Sequence, residues 1–317
     1  MTKNMKRIII ILIFITNYSN LFSQNQEIKR DDILYIGALE TKRSTWPDNT
    51  YDAIQDTNVK KIVRPLFYKN DNQWISLEKK IADYSIYPSG REWYVAFDSK
   101  NIGFFYSKRE QIKCKDAIWT YPRDSYHSTI GKTLPTIGSC NFDFSSWANE
   151  KEYRPLIVVS HPNCNDPEKW KPFNPELSDL EKIFPIYKSY IAKTFPSLQN
   201  IEIKQLKYLK SYQSNTLNQL IQIGIITNNN GMISYPVWIY KSNSGELINI
   251  SKIIDYNFSQ DEFTDDDNSI NTLIDAGDYD NNGKSEIIFW SSRYNGDGYV
   301  MFFDDLTKMI DFTWSYH

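Results

Sequence analysis

The sequence predicts a mainly β protein of the α+β class, built from antiparallel sheets and hairpins with one central helix. Runs of β-branched and aromatic residues alternate with short clusters of Asn, Asp, Gly and Ser along most of the chain, which is typical of strands joined by hairpin turns. A single segment, near residues 177–191, shows apolar residues at helical spacing. Aromatic residues make up 15% of the chain, and this content favours a folded protein over a disordered one.

Two hairpins and one buried strand are predicted in the N-terminal half. Each hairpin joins two apolar runs across a turn rich in Asn, Asp and Ser: 61–68 to 74–77, and 93–97 to 102–106. The run at 156–159 is apolar without alternation, which is typical of a buried strand.

The C-terminal half shows the same pattern. The predicted strands are 220–227, 237–240 and 246–250 as a meander, then 287–290, 299–303 and 312–314. Asn295-Gly296-Asp297-Gly298 contains two dipeptides that favour hairpin turns, so we place a turn there.

The one predicted helix carries an apolar stripe at spacings of three and four residues, formed by Leu177, Leu180, Phe184, Tyr187 and Ile191. Asn174 is the expected N-cap and Pro175 suits the first turn. Pro185 is expected to kink the helix, and Pro196 to end it.

The first residues predict a secretory signal peptide at 1–23. Three basic residues precede a short apolar run at 8–15, and Ser23 offers a small residue for cleavage. That run is too short to cross a bilayer, which takes about 20 apolar residues. We therefore expect export to the periplasm, the cell surface or the medium, with no transmembrane segment in the mature chain.

By pattern, the mature chain divides into three regions. These are a β-rich region at 24–165, a loop and helix at 166–200, and a β-rich region at 201–317 that contains an acidic loop at 278–286. The length suffices for one large or two modest domains.

Charge and cysteine content exclude some classes of protein. Removal of the three basic residues of the signal peptide takes the net charge from −3 to −6, which disfavours nonspecific nucleic-acid binding. Cys114, Cys140 and Cys164 allow at most one internal disulfide, and three buried free thiols are equally compatible with the sequence.

The acidic loop is the stretch whose spacing indicates definite chemistry. Asp278, Asp280, Asn282 and Glu286 occupy loop positions 1, 3, 5 and 9, and Gly283 at position 6 allows a sharp reversal, often at positive φ. Ca²⁺ takes six to eight oxygen ligands, and short loops supply them from alternate residues. Lys284 would add its backbone carbonyl while its ammonium points outward.

Electrostatics supports a bound cation in this loop. Carboxylates about 4 Å apart repel by about 1 kcal/mol per pair in water and about 4 kcal/mol in a partly dry setting. A divalent ion removes that repulsion. The alternative is an acidic turn without metal, because Asp, Asn and Gly are common in turns. An EF-hand is excluded, since position 12 is Phe289 and the flanking residues favour strands.

The pattern resembles the Asp-x-Asp-x-Asp/Asn-Gly-x-x-Asp/Glu loops of the FG-GAP/VCBS repeats, which occur in integrin-type β-propellers and in many exported bacterial proteins. The resemblance is confined to residues 274–290 and their hairpin partner. It implies a C-terminal calcium-loop hairpin of propeller-blade type with a structural Ca²⁺. The implied ligands are Asp278, Asp280, Asn282, Lys284 through its carbonyl, and Glu286. The sequence contains no further copies, so a complete propeller is not expected.

Motifs of catalysis are absent from the sequence. It has no Gly-x-Ser-x-Gly, no His-Glu-x-x-His, and no phosphate-binding or dinucleotide-binding glycine pattern. His161 and Cys164 do not make a zinc site, because paired ligands at short spacing are lacking, and we expect His161 to be a surface loop residue.

Three functional hypotheses follow from these observations. The favoured one is an exported, non-enzymatic binding or scaffold protein with a protein or glycan ligand. The alternatives are a secreted hydrolase, for example one that acts on carbohydrate, and a component of a cell-surface protein complex. An open cleft with carboxylates of raised pKa would favour the hydrolase, and an exposed apolar patch would favour the complex.

Overall fold

A computed structural model describes residues 33–42, 60–77, 88, 91–97, 100–107, 156–226, 233–258, 270–293 and 296–315. The predicted signal peptide, Cys114 and Cys140 lie outside the described residues. The elements from Leu34 onward belong to one unit of the chain. Their strands form three sheets, and every strand pairing among the described residues is antiparallel.

The first sheet has six strands in the order β3-β2-β1-β6-β4-β5. Their bounds are β1 (Leu34–Lys42), β2 (Lys60–Asn70), β3 (Gln73–Ser76), β4 (Glu92–Phe97), β5 (Lys100–Tyr106) and β6 (Leu156–Val159). Both predicted hairpins are confirmed. Asp71 and Asn72 adopt φ angles of 46° and 67° between β2 and β3, as a two-residue hairpin turn requires. The predicted buried strand β6 lies between β1 and β4.

The second sheet has five strands in the order β11-β10-β9-β8-β7, and one face is covered by helix α1 (Leu177–Thr194). The strands are β7 (Lys171–Pro172), β8 (Leu206–Gln213), β9 (Gln219–Ile226), β10 (Ile233–Lys241) and β11 (Leu247–Asn249). The meander predicted at 220–250 is confirmed in its order and pairing.

Helix α1 is confirmed, but its start differs from the prediction. Glu176, not Asn174, is the N-cap residue, because it forms a reciprocal capping box with Asp179. The first turn therefore begins beyond Pro175, and Leu177 is 70% exposed. Ile183, which was not part of the predicted apolar stripe, is buried in this helix, whereas Leu177 is not.

Pro185 was expected to kink this helix and Pro196 to end it. It continues through Pro185 and ends at Thr194, before Pro196 opens a short 3₁₀ turn. Its buried apolar residues join those of β8, β9 and β10 in one cluster.

A second helix, α2 (Ile250–Phe258), was not predicted. The strand expected to include Ile250 ends at Asn249, so that boundary was wrong. The cause is a cap: Asn249 Oδ1 accepts a hydrogen bond of 2.8 Å from the backbone N–H of Lys252, which starts a helix directly after the strand. Ile250 and Ile254 are buried on one face of this helix.

The third sheet is a four-stranded meander in the order β12-β13-β14-β15. Its strands are β12 (Ile270–Gly277), β13 (Glu286–Arg293), β14 (Gly296–Phe303) and β15 (Lys308–Ser315). The hairpin β13–β14 is longer than predicted, because Gly296 pairs with Arg293. The Gly296-Asp297-Gly298 stretch therefore lies in a strand and not in the turn, which corrects the prediction.

The second and third sheets share a core. Trp238 and Tyr240 of β10 lie in the same buried cluster as Phe289 of β13 and Phe302 of β14. The four-stranded meander has the strand order of a propeller blade, but the described strands close neither a propeller nor a barrel. No helix in the described part of the chain has the length and apolar character needed to span a membrane.

Candidate metal centre

The loop that connects β12 to β13 gathers three carboxylates. Asp278 directly follows β12, Asp280 lies within the loop, and Glu286 is the first residue of β13. Ligand oxygens of these three residues, the acid triad, all lie within 4.8 Å of one another. The structure thus brings together three of the five predicted ligands in an arrangement that could hold a metal ion.

The backbone of the acidic loop wraps around the triad. The N–H of Asn282 donates to Asp278 Oδ1 at 2.8 Å and to Asp280 Oδ1 at 3.0 Å. The N–H of Gly283 donates to Asp278 Oδ2 at 2.9 Å. Asn281 and Gly283 have φ angles of 58° and 88°, so the positive φ expected at the glycine is confirmed.

Glu286 carries the most informative atom of the centre. Its Oε2 accepts a 2.7 Å hydrogen bond from the N–H of Tyr279, whereas its buried Oε1 has no hydrogen-bond partner. The residue is 1% exposed. Burial, and then the nearby charges of Asp280 and Asp278, raise the pKa of this carboxyl well above its ordinary value. A bound cation would both pair the orphan oxygen and favour the ionised carboxylate.

Burial also raises the pKa of two neighbouring acids. It raises the pKa of Asp278, against hydrogen bonds from the backbone of Gly283 and Asn282 that lower it. Burial likewise raises the pKa of Asp166. The buried acids of this region are Asp166, Asp275, Asp278 and Glu286, together with the side chain of Asp280. So many buried carboxylates in one region favour a compensating cation.

Buried hydrogen bonds hold the residues next to the triad in place. The fully buried Tyr279 donates its hydroxyl proton to Asp275 Oδ2 at 3.1 Å. A Cβ at Gly277 would lie 2.4 Å from the Tyr279 ring, so only glycine leaves room for that ring. Ser285 donates to Asp166 Oδ1 at 2.6 Å, which anchors the end of the loop.

Two contacts tie the acidic loop to the N-terminal part of the chain. The ammonium of Lys69, near the end of β2, forms an ion pair with Asp280 Oδ2. Asn163, in the segment after β6, donates to Asn281 Oδ1 at 2.6 Å. Neither partner was identified from the sequence, because both are remote from the loop in the chain and their own surroundings carry no motif.

The other two predicted ligands, Asn282 and Lys284, lie at the exposed rim of the loop. Asn282 Oδ1 accepts a 2.8 Å hydrogen bond from the N–H of Lys284. The Lys284 ammonium is directed away from the triad and pairs with Asp305 at 2.6 Å. The ligand roles of the Asn282 side chain and the Lys284 carbonyl stay predictions.

Among the described residues, neither His161 nor Cys164 belongs to a cluster that could hold a metal ion. His161 is exposed, as expected, and its Nδ1 accepts a 3.1 Å hydrogen bond from the N–H of Asn163. Cys164 is a buried free thiol, and burial raises its pKa to about 11. Within the described ranges, the acid triad is the one group of three or more His, Cys, Asp or Glu residues close enough to share a metal ion.

A second surface feature lies on β5. Ile102, Phe104 and Tyr106 alternate along this strand and are 56%, 62% and 67% exposed. We call these three residues the β5 strip. Tyr94 of the neighbouring strand contacts Phe104 with 6.0 Å between ring centroids. Glu92 accepts hydrogen bonds from Tyr106 and Tyr94, and these bonds lower its pKa.

Comparisons with protein-family models, with curated proteins and with solved structures find no match for this chain. The functional argument therefore rests on the geometry of the acidic loop and its surroundings.

Proposed function

We propose that this protein is an exported, non-enzymatic β-rich binding or scaffold protein with a structural Ca²⁺ in its acidic loop. The proposed ligands are Asp278, Asp280, Asn282, the carbonyl of Lys284, and Glu286. The observation that carries the proposal is the buried acid triad, in which Glu286 Oε1 has no hydrogen-bond partner.

The donor set favours calcium over other metals. A set made only of carboxylate, amide and carbonyl oxygens suits hard cations, whereas Zn²⁺ and copper sites include His or Cys ligands. Ca²⁺ accepts the irregular geometry of a loop that supplies ligands from alternate residues, while Mg²⁺ demands a near-ideal octahedron. An exported protein can rely on a weak site, since extracellular modules bind Ca²⁺ with Kd values of about 0.1–1 mM.

A structural role for the ion follows from the position of the loop. The acidic loop joins two strands of the third sheet and also contacts Lys69 of the first sheet. An ion in the triad would fix the conformation of a segment that touches both sheets.

Two observations favour binding over hydrolysis. The described carboxyls with a raised pKa, those of Asp166, Asp278 and Glu286, are 1%, 5% and 1% exposed, so they do not line an open cleft. The β5 strip exposes three large side chains in a row, and such clusters are typical of contact surfaces.

Calcium titration with a matched pair of variants tests the proposal. We expect calorimetry to show Ca²⁺ uptake by the full chain at up to millimolar CaCl₂, with a higher Tm in CaCl₂ than in chelator. Glu286→Gln removes the charge of the buried ligand and is expected to abolish both effects. Asp305→Asn removes an exposed charge beside the loop and is expected to retain them. Absence of uptake by the wild-type chain at millimolar CaCl₂ would contradict the proposal.

A further inference from the structure

The ion pair between Lys69 and Asp280 places a protein cation at the proposed calcium site. Lys69 reaches the acid triad from β2, a strand of a different sheet, and its side chain is 19% exposed. The Asp280 side chain is 2% exposed, so the pair is largely shielded from solvent. Asp280 Oδ2 accepts from this ammonium, while Oδ1 accepts from the loop backbone.

The position of Lys69 is fixed by its surroundings. Lys69 pairs with Trp74 across the β2–β3 hairpin, and its ammonium lies 5.7 Å from the centroid of the Trp74 indole. An ammonium near the face of an indole is attracted by the ring quadrupole. Lys69 is therefore held at the triad by its strand, its cross-strand neighbour and Asp280.

The geometry points to Lys69 as an internal counter-cation that competes with Ca²⁺ and sets the calcium affinity of the acidic loop. This inference rests on the proposed calcium site. In the ion-free protein, the ammonium offsets part of the repulsion within the triad, so the loop keeps its fold. When Ca²⁺ binds, the two cations share Asp280 and repel each other across one carboxylate.

Competition and structural support predict opposite changes in calcium affinity when Lys69 is removed. A residue that merely holds the loop in shape would, when removed, weaken calcium binding. A competing cation would, when removed, tighten it. Lys69 belongs to neither the acidic loop nor its sheet, so its removal leaves every proposed oxygen ligand in place.

The test is calorimetric titration of the full chain with CaCl₂ and with no other ligand. We expect Lys69→Met to lower the Kd about tenfold, which corresponds to about 1.4 kcal/mol of removed repulsion. Methionine keeps an unbranched apolar side chain beside Trp74. Lys69→Gln is expected to tighten binding in the same way, and Lys69→Arg, which retains the charge, is expected to stay near the wild-type Kd.

A matched control separates this contact from a general change in net charge. Lys308→Met removes one positive charge from the third sheet, where Lys308 pairs with Asp304 at 2.7 Å and not with the triad. We expect its Kd to remain near the wild-type value. Tightening by Lys308→Met as large as that by Lys69→Met would overturn the inference.

Thermal unfolding supplies a second measurement. Calcium binding raises the unfolding free energy by an amount that grows as the Kd falls. If Lys69→Met binds Ca²⁺ more tightly, the ion therefore stabilises the variant more than it stabilises the wild type. Lys69→Met should accordingly lower the Tm more in chelator than in saturating CaCl₂. Equal or weaker calcium binding by Lys69→Met and Lys69→Gln overturns the inference and leaves the calcium site intact. Absence of calcium uptake by the wild type and by both variants overturns the site and the inference together.

Discussion

The acidic loop between β12 and β13 and the turn between β14 and β15 (residues 304–307) lie at the same end of the third sheet. Each contains two aspartates, and each has backbone at positive φ. In the β14–β15 turn the side chains of Asp304 and Asp305 are 37% and 57% exposed, and a hydrogen bond from Lys308 lowers the pKa of Asp304. In the acidic loop the acids are buried, and burial raises the pKa of Asp278 and Glu286.

The two loops differ in the burial of their carboxylates and in the third acid, Glu286, and this difference supports placing the proposed metal site in the acidic loop. The two acids of the turn form ion pairs with Lys284 and Lys308. The acidic loop has backbone donors, one ammonium from another sheet and an orphan oxygen on Glu286. The difference in metal binding between the two loops can be tested by making the same type of substitution in each loop and comparing the results.

The largest expected difference concerns calcium-dependent stability. At free Ca²⁺ of 100 times Kd, binding stabilises the fold by about 2.7 kcal/mol. Asp278→Asn should remove most of this stabilisation, because it takes a charge from the buried triad. Asp304→Asn should leave it intact. Denaturant unfolding in CaCl₂ and in chelator measures both, and an equal loss in the two variants would show that the loops do not differ.

The next largest expected effect is a pH dependence of the unfolding free energy, measured in chelator. The folded-state pKa of Glu286 is raised, so the folded protein binds more protons than the unfolded chain above the ordinary pKa of about 4.5. Stability should therefore fall as the pH rises from about 5 towards neutrality. Asp278 shifts in the same direction. The lowered pKa of Asp304 acts oppositely, but it matters only as the pH falls towards that pKa, below this window.

Glu286→Gln is the control for this pH dependence. It should flatten the decline in chelator, and saturating Ca²⁺ should flatten it in the wild type, because the ion favours the ionised carboxylate. A wild-type unfolding free energy that rises over this pH range in chelator would refute the assignment of the buried acids.

A smaller effect is expected at Gly283. Its φ angle is 88° and a Cβ there meets nothing within 4 Å, so alanine would suffer only backbone strain of about 1–2 kcal/mol. Gly245 is a matched control, with φ of 91° and equally open surroundings. Both alanine variants should lose similar stability in chelator. Only Gly283→Ala should also weaken calcium binding in a titration, and equal binding by both would remove Gly283 from the site.

The smallest effect is expected for Lys284. Its ammonium pairs with Asp305 at the surface, and exposed pairs of this kind contribute about 0–1 kcal/mol. Lys284→Met should therefore change the unfolding free energy by less than about 1 kcal/mol, since the proposed ligand is the backbone carbonyl. A larger loss, measured by denaturant unfolding, would indicate that the ammonium supports the loop directly.

Local patterns account for what could be predicted from the sequence. The hairpins β2–β3 and β4–β5 were found because turn residues and alternating apolar runs act within a few positions. The acidic loop was found for the same reason. Helix α2 was missed because its isoleucines also favour strands, and the cap at Asn249 decides the outcome.

Long-range contacts account for what was missed. Lys69 lies 211 positions from Asp280 in the chain, so no spacing rule connects them. Glu286 looks like the polar first residue of a strand, and neither its burial nor its hydrogen bond from the Tyr279 N–H is visible in the local sequence. The requirement for glycine at position 277 is equally invisible, because it comes from the ring of Tyr279.

The place of β6 in the first sheet has a consequence for how the chain folds. β6 lies between β1 and β4, so Ala38 has its partner Ile157 only after the chain has been synthesised past residue 157. The β1–β2 pair and the β4–β5 hairpin can form early, but they remain separate until β6 joins them. Such remote pairing slows folding. A nascent chain would expose an unpaired edge on β1 and another on β4 until the four residues of β6 have been synthesised.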